Sequence, residues 1–325
     1  MSITVRSTAD GASGELIIPS SGLGFRFGAD TSGQLQSGRN RFINGALSID
    51  QRNNGLSQTI TAGAALAYTV DRWYAYSVGG NVTGQRVAGV SPNQYNYVFT
   101  GGAFVTKIGF AQRIEAVNSQ DLAGTTATLS VDLANSSLTT VTWTAWYANT
   151  TDTFGTLASP TRTLISSGTF TVNNALARYS TQIAIPSGAT TGIEVELSVG
   201  AQPAATTWTI GRVQLEPGSI KSNFEFRDIQ SELARCQRYR EQGSAFFQAS
   251  GVSSSTGTIV SFAVEKRGNP VINVGSVTYG NASSLTVPPS ITVPFNIKTR
   301  SFPFYIIPST SNGYVTFDWS ADAEL

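Results

Sequence analysis

The 325-residue sequence contains no histidine, a single cysteine and few charged residues. Without histidine, triads of the Ser-His-Asp and Cys-His types and every His-ligated metal site are excluded. Cys236 has no partner for a disulfide within the chain, and we interpret it as a small buried apolar residue. Charged residues make up 13% of the chain, against about 25% in ordinary proteins. A chain rich in Ser, Thr, Asn and Gly instead is typical of β-structure with polar, uncharged outer faces.

The distribution of charge and hydropathy excludes further classes of protein. The net charge is +1 and no basic run exceeds "EKR" at 265–267, so no nucleic-acid surface is predicted. The opening "MSITVRSTADG" lacks the apolar segment of a signal peptide, and every apolar run is far shorter than the ~20 residues that cross a bilayer. We therefore expect that the chain does not insert into a membrane. We also expect that it is made in the cytoplasm.

Cofactor motifs are also missing. No lysine lies in a G-x-x-x-x-G-K-[ST] phosphate loop, and no Asp-rich loop of the EF-hand type is present. We predict no cofactor and no metal site built from side chains. A calcium ion held by backbone carbonyls would leave no signal in the sequence, so that alternative stays open.

From about residue 41 to 227 apolar and polar residues alternate, and turn residues interrupt the alternation at short intervals. In "TATLSVDL" (126–133) and "GIEVELSVG" (192–200) every second residue is apolar, the pattern of a half-buried strand. In "WTIGRVQLE" (208–216) the parity shifts by one residue at Gly211, which predicts a β-bulge. Many short strands without intervening helices indicate an antiparallel jelly-roll sandwich.

One amphipathic helix interrupts the strand pattern at about 228–242. Asp228 is a good N-cap, and an apolar stripe with helical spacing follows it, formed by Ile229, Leu233, Cys236 and Tyr239. Strand patterns then resume, as in "YVTFDWSA". The predicted fold is therefore all-β: an antiparallel jelly-roll sandwich and a smaller C-terminal β-domain, joined by one amphipathic helix. The predicted limits are 1–40 for an N-terminal arm, 41–242 for the jelly roll with its helix, and 243–325 for the C-terminal domain.

Four segments, in this order, resemble a known family. They are "NRFINGALSIDQRNNG", "YTVDRWYA", "FAQRIEAVNSQDLAGTTATLSVDL" and "GRVQLEPGSIKSNFEFRDIQSELARCQRYRE". Together they resemble the tail-fibre and receptor-binding proteins of tailed bacteriophages, whose shared module is a carbohydrate-binding-like jelly roll. The ending "WSADAEL" resembles other fibre tips loosely, and "NGAL" departs from the family by lacking a Met after Asn-Gly.

The resemblance implies a virion structural protein, located in the tail and made in the host cytoplasm. It implies a homotrimer that is attached through residues 1–40 to another tail or capsid protein and that adheres to host-surface glycan without enzymatic activity. Two alternatives remain open. One is a purely structural component, a capsid-decorating fibre or tail adaptor without a receptor of its own. The other is a polysaccharide depolymerase.

Candidate glycan contacts need aromatic faces beside amides or hydroxyls. In "VTWTAWYAN" (141–149) the alternation turns Trp146 to the outer face together with two threonines. In the C-terminal domain, "VTYGNASS" places Tyr279 beside Asn281, and an Asn-Gly turn precedes Tyr314. We predict Trp146, Tyr279, Asn281 and Tyr314 as ligand contacts and expect reading of the receptor in the loops of 243–325.

The depolymerase alternative depends on Glu194 and Glu196, two residues apart on the outer face of one strand. Their expected separation of about 6.5–7 Å falls in the range of inverting glycosidases, about 6.5–9.5 Å. On an open strand face we expect both carboxylates to be solvated, with nothing to raise the pKa of either. No catalytic residue is therefore predicted.

Overall fold

The computed structural model describes residues 3–6, 13–16, 38–63, 65–252, 255–287 and 298–325. Most of the predicted N-terminal arm, residues 1–40, lies outside these ranges. Within the arm, strands β1 (Ile3–Arg6) and β2 (Ser13–Leu16) form an antiparallel pair. Gly38 and Asn40 already belong to the body of the protein, because their backbone N–H groups donate to the Glu225 carboxylate.

Two six-stranded sheets, with antiparallel pairing between neighbouring strands, form the sandwich. The front sheet has the order β11-β10-β13-β8-β5-β4 and consists of β4 (Ala67–Tyr68), β5 (Tyr74–Val78), β8 (Lys107–Ile114), β10 (Thr140–Ala148), β11 (Arg162–Thr171) and β13 (Ile193–Val199). The back sheet has the order β12-β9-β14-β7-β6-β3 and consists of β3 (Gln58–Ile60), β6 (Val82–Ala88), β7 (Tyr95–Thr100), β9 (Thr126–Asn135), β12 (Ala177–Ala184) and β14 (Thr207–Pro217). Two 3-10 turns, Ala116–Asn118 and Gln120–Leu122, connect β8 to β9.

The core between these sheets is built from the inward positions that the alternation predicted. Its centre is a row of stacked aromatic rings, in which Phe110 lies 4.8 Å from Trp73 and 5.4 Å from Tyr97, centroid to centroid. Phe99 stacks on Trp208 beside them at 5.3 Å. The bulge predicted at Gly211 is confirmed, since the pairing of β14 with β9 shifts between Gly211 and Gln214.

The helix, α1 (Ile229–Gln237), begins as predicted. The Asp228 carboxylate accepts from the N–H groups of Gln230 and Ser231. The helix ends earlier than predicted, because the following residues pair as a strand. Among the described residues no helix is long and apolar enough to cross a membrane.

The predicted apolar stripe of α1 is only partly right. Cys236 and Tyr239 are fully buried against Ile43 and Ile49, whereas Ile229 in the first turn is 47% exposed. Glu232, one turn further along the helix, is buried instead. The Glu232 carboxylate accepts from the N–H of Asn44 and pairs with Arg227 at 3.4 Å, which anchors the helix to the jelly roll.

Two three-stranded sheets follow the helix. One has the order β15-β20-β17 and consists of β15 (Arg240–Gln248), β17 (Val271–Gly280) and β20 (Tyr314–Asp322); the other has the order β16-β19-β18 and consists of β16 (Thr256–Ser261), β18 (Ala282–Thr286) and β19 (Ser301–Pro308). A second apolar cluster, centred on Phe302, Phe304, Phe317 and Trp319, fills the space between them. Over the residues that the structure describes, the fold is thus the predicted one: an antiparallel jelly-roll sandwich, a smaller β-unit and one helix. The predicted domain limits stay a prediction.

After β20 the chain returns to the jelly roll. Glu324 pairs with Arg72, which is 1% exposed, and with Arg52 at 3.1 Å. The Leu325 carbonyl accepts from the Tyr68 hydroxyl at 3.0 Å and from Arg113 at 2.8 Å. The Leu325 side chain packs on the cluster of Cys236 and Tyr239. Residues 322–325 therefore join the two β-units by buried ion pairs and not by apolar contact alone.

Candidate functional site

The outer face of the front sheet carries an unusual concentration of polar and aromatic side chains. The strand register places Trp146, Glu194 and Arg113 in one row across β10, β13 and β8. The next row on this face contains Thr144, Glu196, Ala111 and Tyr74, and the one after it contains Thr142, Ser198, Gly109 and Tyr76. The predicted outward position of Trp146 beside Thr142 and Thr144 is confirmed by this register.

The prediction that Glu194 and Glu196 are solvated is wrong. Both point outward, as predicted, but they are 0% and 1% exposed. Glu194 pairs with Arg113 at 3.1 Å and with Arg162, and it accepts from the Tyr74 hydroxyl. Side chains from β5, β8 and β11 thus converge on β13 from both sides and close over its carboxylates.

The Glu196 carboxylate is likewise paired through both of its oxygens. One of its carboxylate oxygens accepts from Lys107 Nζ at 2.8 Å, and the other accepts from the Tyr76 hydroxyl at 3.0 Å. Burial, and next the charge of Glu196, raises the pKa of Tyr76 far above its usual value. Burial and Glu194 do the same for the pKa of Tyr74. Both phenols therefore stay protonated and act as donors to the carboxylates.

Tyr76 lies across the sheet because its neighbour on β8 has no side chain. Tyr76 pairs with Gly109, and a Cβ atom placed on Gly109 would lie 2.2 Å from Cε1 of the tyrosine ring. The ring therefore rests on the backbone of β8 while its hydroxyl reaches Glu196 on β13. Tyr76 is only half-buried, so this arrangement presents an aromatic ring on the surface of the sheet.

A groove of about 580 Å³ lies above Tyr76, on the side of the front sheet formed by β5 and β4. One wall comes from Gly63, Ala65 and Leu66, and the other comes from residues 155–158, which cross the sheet after β10. The crossing is held by Arg113, which donates to the Gly155 carbonyl at 3.1 Å and lies over Phe154. The groove is lined by Gly63, Ala65, Leu66, Tyr76, Ser77, Val78, Gly155, Thr156, Leu157, Ala158 and Arg162.

Trp146 lies next to this groove but does not line it. The Arg162 guanidinium, which does line the groove, lies 3.8 Å from the centroid of the Trp146 ring and pairs with Glu194. One face of the indole is therefore covered by a cation. The predicted ligand contact of Trp146 stays a prediction, and in this arrangement the indole supports Arg162.

Of the predicted contacts in the C-terminal unit, the structure places Tyr314 and Asn281 near each other and turns Tyr279 to the other face of the sheet. Tyr279 pairs with the buried Val315, on the inner face, and its hydroxyl accepts from the Leu285 N–H at 2.9 Å. Tyr314 pairs with Gly280, on the outer face, and the exposed Asn281 follows Gly280 at the end of β17. The two tyrosines thus point to opposite sides of one sheet. Their roles as ligand contacts stay predictions.

The residues that shape the groove were not predicted from the sequence as binding residues. Alternation in "YAYSV" (74–78) does put Tyr74 and Tyr76 on one face, so part of the signal was present. The contribution of Gly109 and Arg162 depends on which strands become neighbours. Within the described parts of the chain, no three His, Cys, Asp or Glu side chains group in a way that could hold a metal ion.

The comparison with known protein families found no match, and neither did the comparison with characterised protein sequences. Solved structures do resemble part of the chain. A family 4 carbohydrate-binding module is 15% identical, with a TM-score of 0.32, over 54% of this chain and 98% of the module. A family 61 module in complex with β-1,4-galactotriose is 13% identical, with a TM-score of 0.31, over 45% of this chain and 88% of the module.

The enzymatically active domain of tailspike protein 4 of bacteriophage CBA120 is also similar. It is 15% identical, with a TM-score of 0.33, over 56% of this chain and 22% of that one. Likenesses at this level carry no conclusion about what this chain binds.

Proposed function

We propose that this protein binds a glycan in the groove above Tyr76 and does not cleave it. The observation that carries the proposal is the Tyr76 ring resting on Gly109, beside the Arg162 guanidinium and between walls that include Leu66 and Leu157. A sugar ring has one apolar face and a rim of hydroxyls. An aromatic ring supplies the surface for the apolar face, and a guanidinium and hydroxyls supply hydrogen bonds for the rim.

The state of the carboxylates argues for binding and against hydrolysis. A glycosidase needs one carboxyl that donates a proton and a second that faces water or the anomeric carbon. Glu194 is held by two arginines, and Glu196 is held by Lys107 and Tyr76. Both carboxylates lie beneath the side chains that face the groove, so we assign them the task of fixing Tyr76 and Arg162.

The biological setting that we propose is a tail fibre or receptor-binding protein of a tailed-bacteriophage virion. Its support is the order of the four resembling segments along residues 40–241. In this setting the chain forms a homotrimer, residues 1–40 attach it to another virion protein, and the groove meets glycan on the host surface. Three weak sites on one rigid particle would act together, since effective concentration raises avidity by about 10²–10⁴ over a single site.

Replacing Tyr76 with Ala is the direct test of the groove. Affinity electrophoresis in gels with soluble galactans, xylans or bacterial O-polysaccharides would measure binding. We expect the wild type to be retarded by at least one polymer and the Tyr76→Ala variant to bind roughly tenfold more weakly, a loss of about 1.4 kcal/mol. Gly109→Ala should also weaken binding, because the new Cβ displaces the ring without removing it.

Tyr95→Ala provides the matched control. Like Tyr76, which has Lys107 Nζ 5.3 Å from its ring centroid, Tyr95 is a half-buried tyrosine with a cation over its ring, Arg86 at 4.4 Å, but it lies on the back sheet. The Tyr95→Ala variant should bind polysaccharide as the wild type does. Trp146→Ala should bind more weakly than the wild type, because the indole no longer supports the Arg162 guanidinium. Unchanged binding by a folded Tyr76→Ala variant would rule out the groove.

Trimerisation has its own measurement. Light scattering on the purified protein should give about three times the chain mass of 34.3 kDa. A stable monomer across the micromolar range would contradict this part of the proposal and leave the groove untouched.

A further inference from the structure

The outer face of the β15-β20-β17 sheet carries two neighbouring exposed aromatic rings. Phe246 on β15 is 64% exposed and Tyr314 on β20 is 36% exposed. Their ring centroids lie 5.9 Å apart, with an angle of 36° between the planes. The register confirms that both point outward, because each is paired with the outward set: Phe246 with Thr316, and Tyr314 with Gln248.

Tyr314 is seated on a glycine in the same way as Tyr76. Gly280 pairs with Tyr314, and a Cβ atom on Gly280 would lie 2.1 Å from Cε1 of the ring. The ring therefore rests against the backbone of β17 and extends the surface that Phe246 begins. Two strands of one sheet thus hold a continuous aromatic platform, which we define as the rings of Phe246 and Tyr314.

The positions around this platform are polar and nearly free of charge. The neighbouring outward residues are Ser244, Gln248, Thr278, Thr316 and Asp318. Asp318 is the single ionisable group in this set, and it already accepts from the Ser244 hydroxyl at 2.6 Å. Amides and hydroxyls around aromatic rings can both donate to and accept from a polyol. The set offers nothing that would hold a strongly charged ligand.

The extent of the platform does not suit a contact between subunits. Two aromatic side chains bury about 150–250 Å² each, whereas a standard interface buries about 800 Å² on each partner. Among the described residues, the five outward positions next to the rings on these three strands are polar, so they do not extend the apolar surface of the platform. A small ligand with a ring-sized apolar face fits this area better than a second protein chain does.

We propose that the Phe246–Tyr314 platform is a second carbohydrate-contacting surface, which takes neutral glycan and acts independently of the groove. Sugar rings would lie on the two aromatic faces, and Gln248, Thr278 and Thr316 would bond their hydroxyls. The exposed Asn281, next to Gly280, borders the platform. Tyr279 points to the opposite face of the sheet and lies outside this platform.

The test compares three full-length variants with the wild type on an array of neutral and uronic-acid-containing polysaccharides. They are Tyr76→Ala, the double variant Phe246→Ala/Tyr314→Ala, and all three substitutions together. We expect each of the first two to keep part of the signal for neutral polymers and the combined variant to lose it. A further variant, Tyr279→Ala, serves as the control and should bind normally.

The outcomes separate the two sites. If the double variant binds every polymer as the wild type does, the platform is not a binding surface, whatever Tyr76→Ala shows. If Tyr76→Ala alone removes all binding, the platform has no independent role and the groove stands. If the double variant binds normally but has a smaller mass in light scattering, the rings lie in a subunit contact, and the proposal is overturned.

Discussion

Glu194→Gln is expected to lower the free energy of unfolding by about 3–5 kcal/mol, the usual result of removing one partner from a buried ion pair. The substitution keeps the volume of the side chain and removes its charge. Arg113 and Arg162, whose side chains are 6% and 13% exposed, would then both lose the carboxylate with which they pair. Urea unfolding followed by tryptophan fluorescence measures the change.

Two further variants show whether burial is the cause. Glu196→Gln should cost less than Glu194→Gln, because the side chain of its partner Lys107 is 42% exposed and can be solvated. Glu265→Gln should leave stability nearly unchanged, since Glu265 and Arg300 pair on the exposed surface. If Glu194→Gln is as mild as Glu265→Gln, the cluster beneath the groove does not hold the front sheet together.

Glu324→Gln is expected to have the second large effect, again about 3–5 kcal/mol. Arg72 is fully buried, and its guanidinium also lies over the Tyr239 ring at 3.4 Å. Burial alone lowers the pKa of Arg72, but Glu324 in particular raises it above the usual value, so the arginine stays charged. Without the Glu324 carboxylate, the buried Arg72 guanidinium would remain charged but would lose the carboxylate with which it pairs.

The reactivity of the Cys236 thiol would show whether Glu324→Gln loosens the contact between residues 322–325 and the jelly roll. Cys236 is 0% exposed and packs with Leu325, and burial raises the pKa of its thiol. In the wild type we expect slow reaction with a chromogenic disulfide reagent in the native state and fast reaction in urea. Glu324→Gln should speed the native reaction, because it frees the last residues from the jelly roll. An unchanged rate together with unchanged stability would show that residues 322–325 do not join the two units.

The sequence alone determined the class of fold and the direction of most side chains. Period-two alternation sufficed for strands such as β9 and β13, and the slip of parity at Gly211 was enough for the bulge. Asp228 marked the start of the helix correctly. These features are local, since each depends on the spacing of residues within one segment.

The end of the helix was predicted wrongly, because local spacing alone does not determine it. The sequence between 238 and 242 continues a helical pattern, yet Arg240 and its neighbours pair with β20, about 80 residues further along the chain. Strand pairing over that distance satisfies backbone groups that a helix would otherwise have paired internally. The choice therefore depended on a partner that local spacing does not reveal.

Only the tertiary structure decided what covers the outward residues and where the candidate sites lie. Alternation turned Glu194 outward, but the arginines that bury it come from β8 and β11, which the register of the front sheet brings together. The aromatic surfaces at Tyr76 and Tyr314 exist because a glycine stands opposite each ring on the next strand. Residues far apart in sequence meet only once the strands are paired, and for that reason side-chain direction was predictable while the groove and the platform were not.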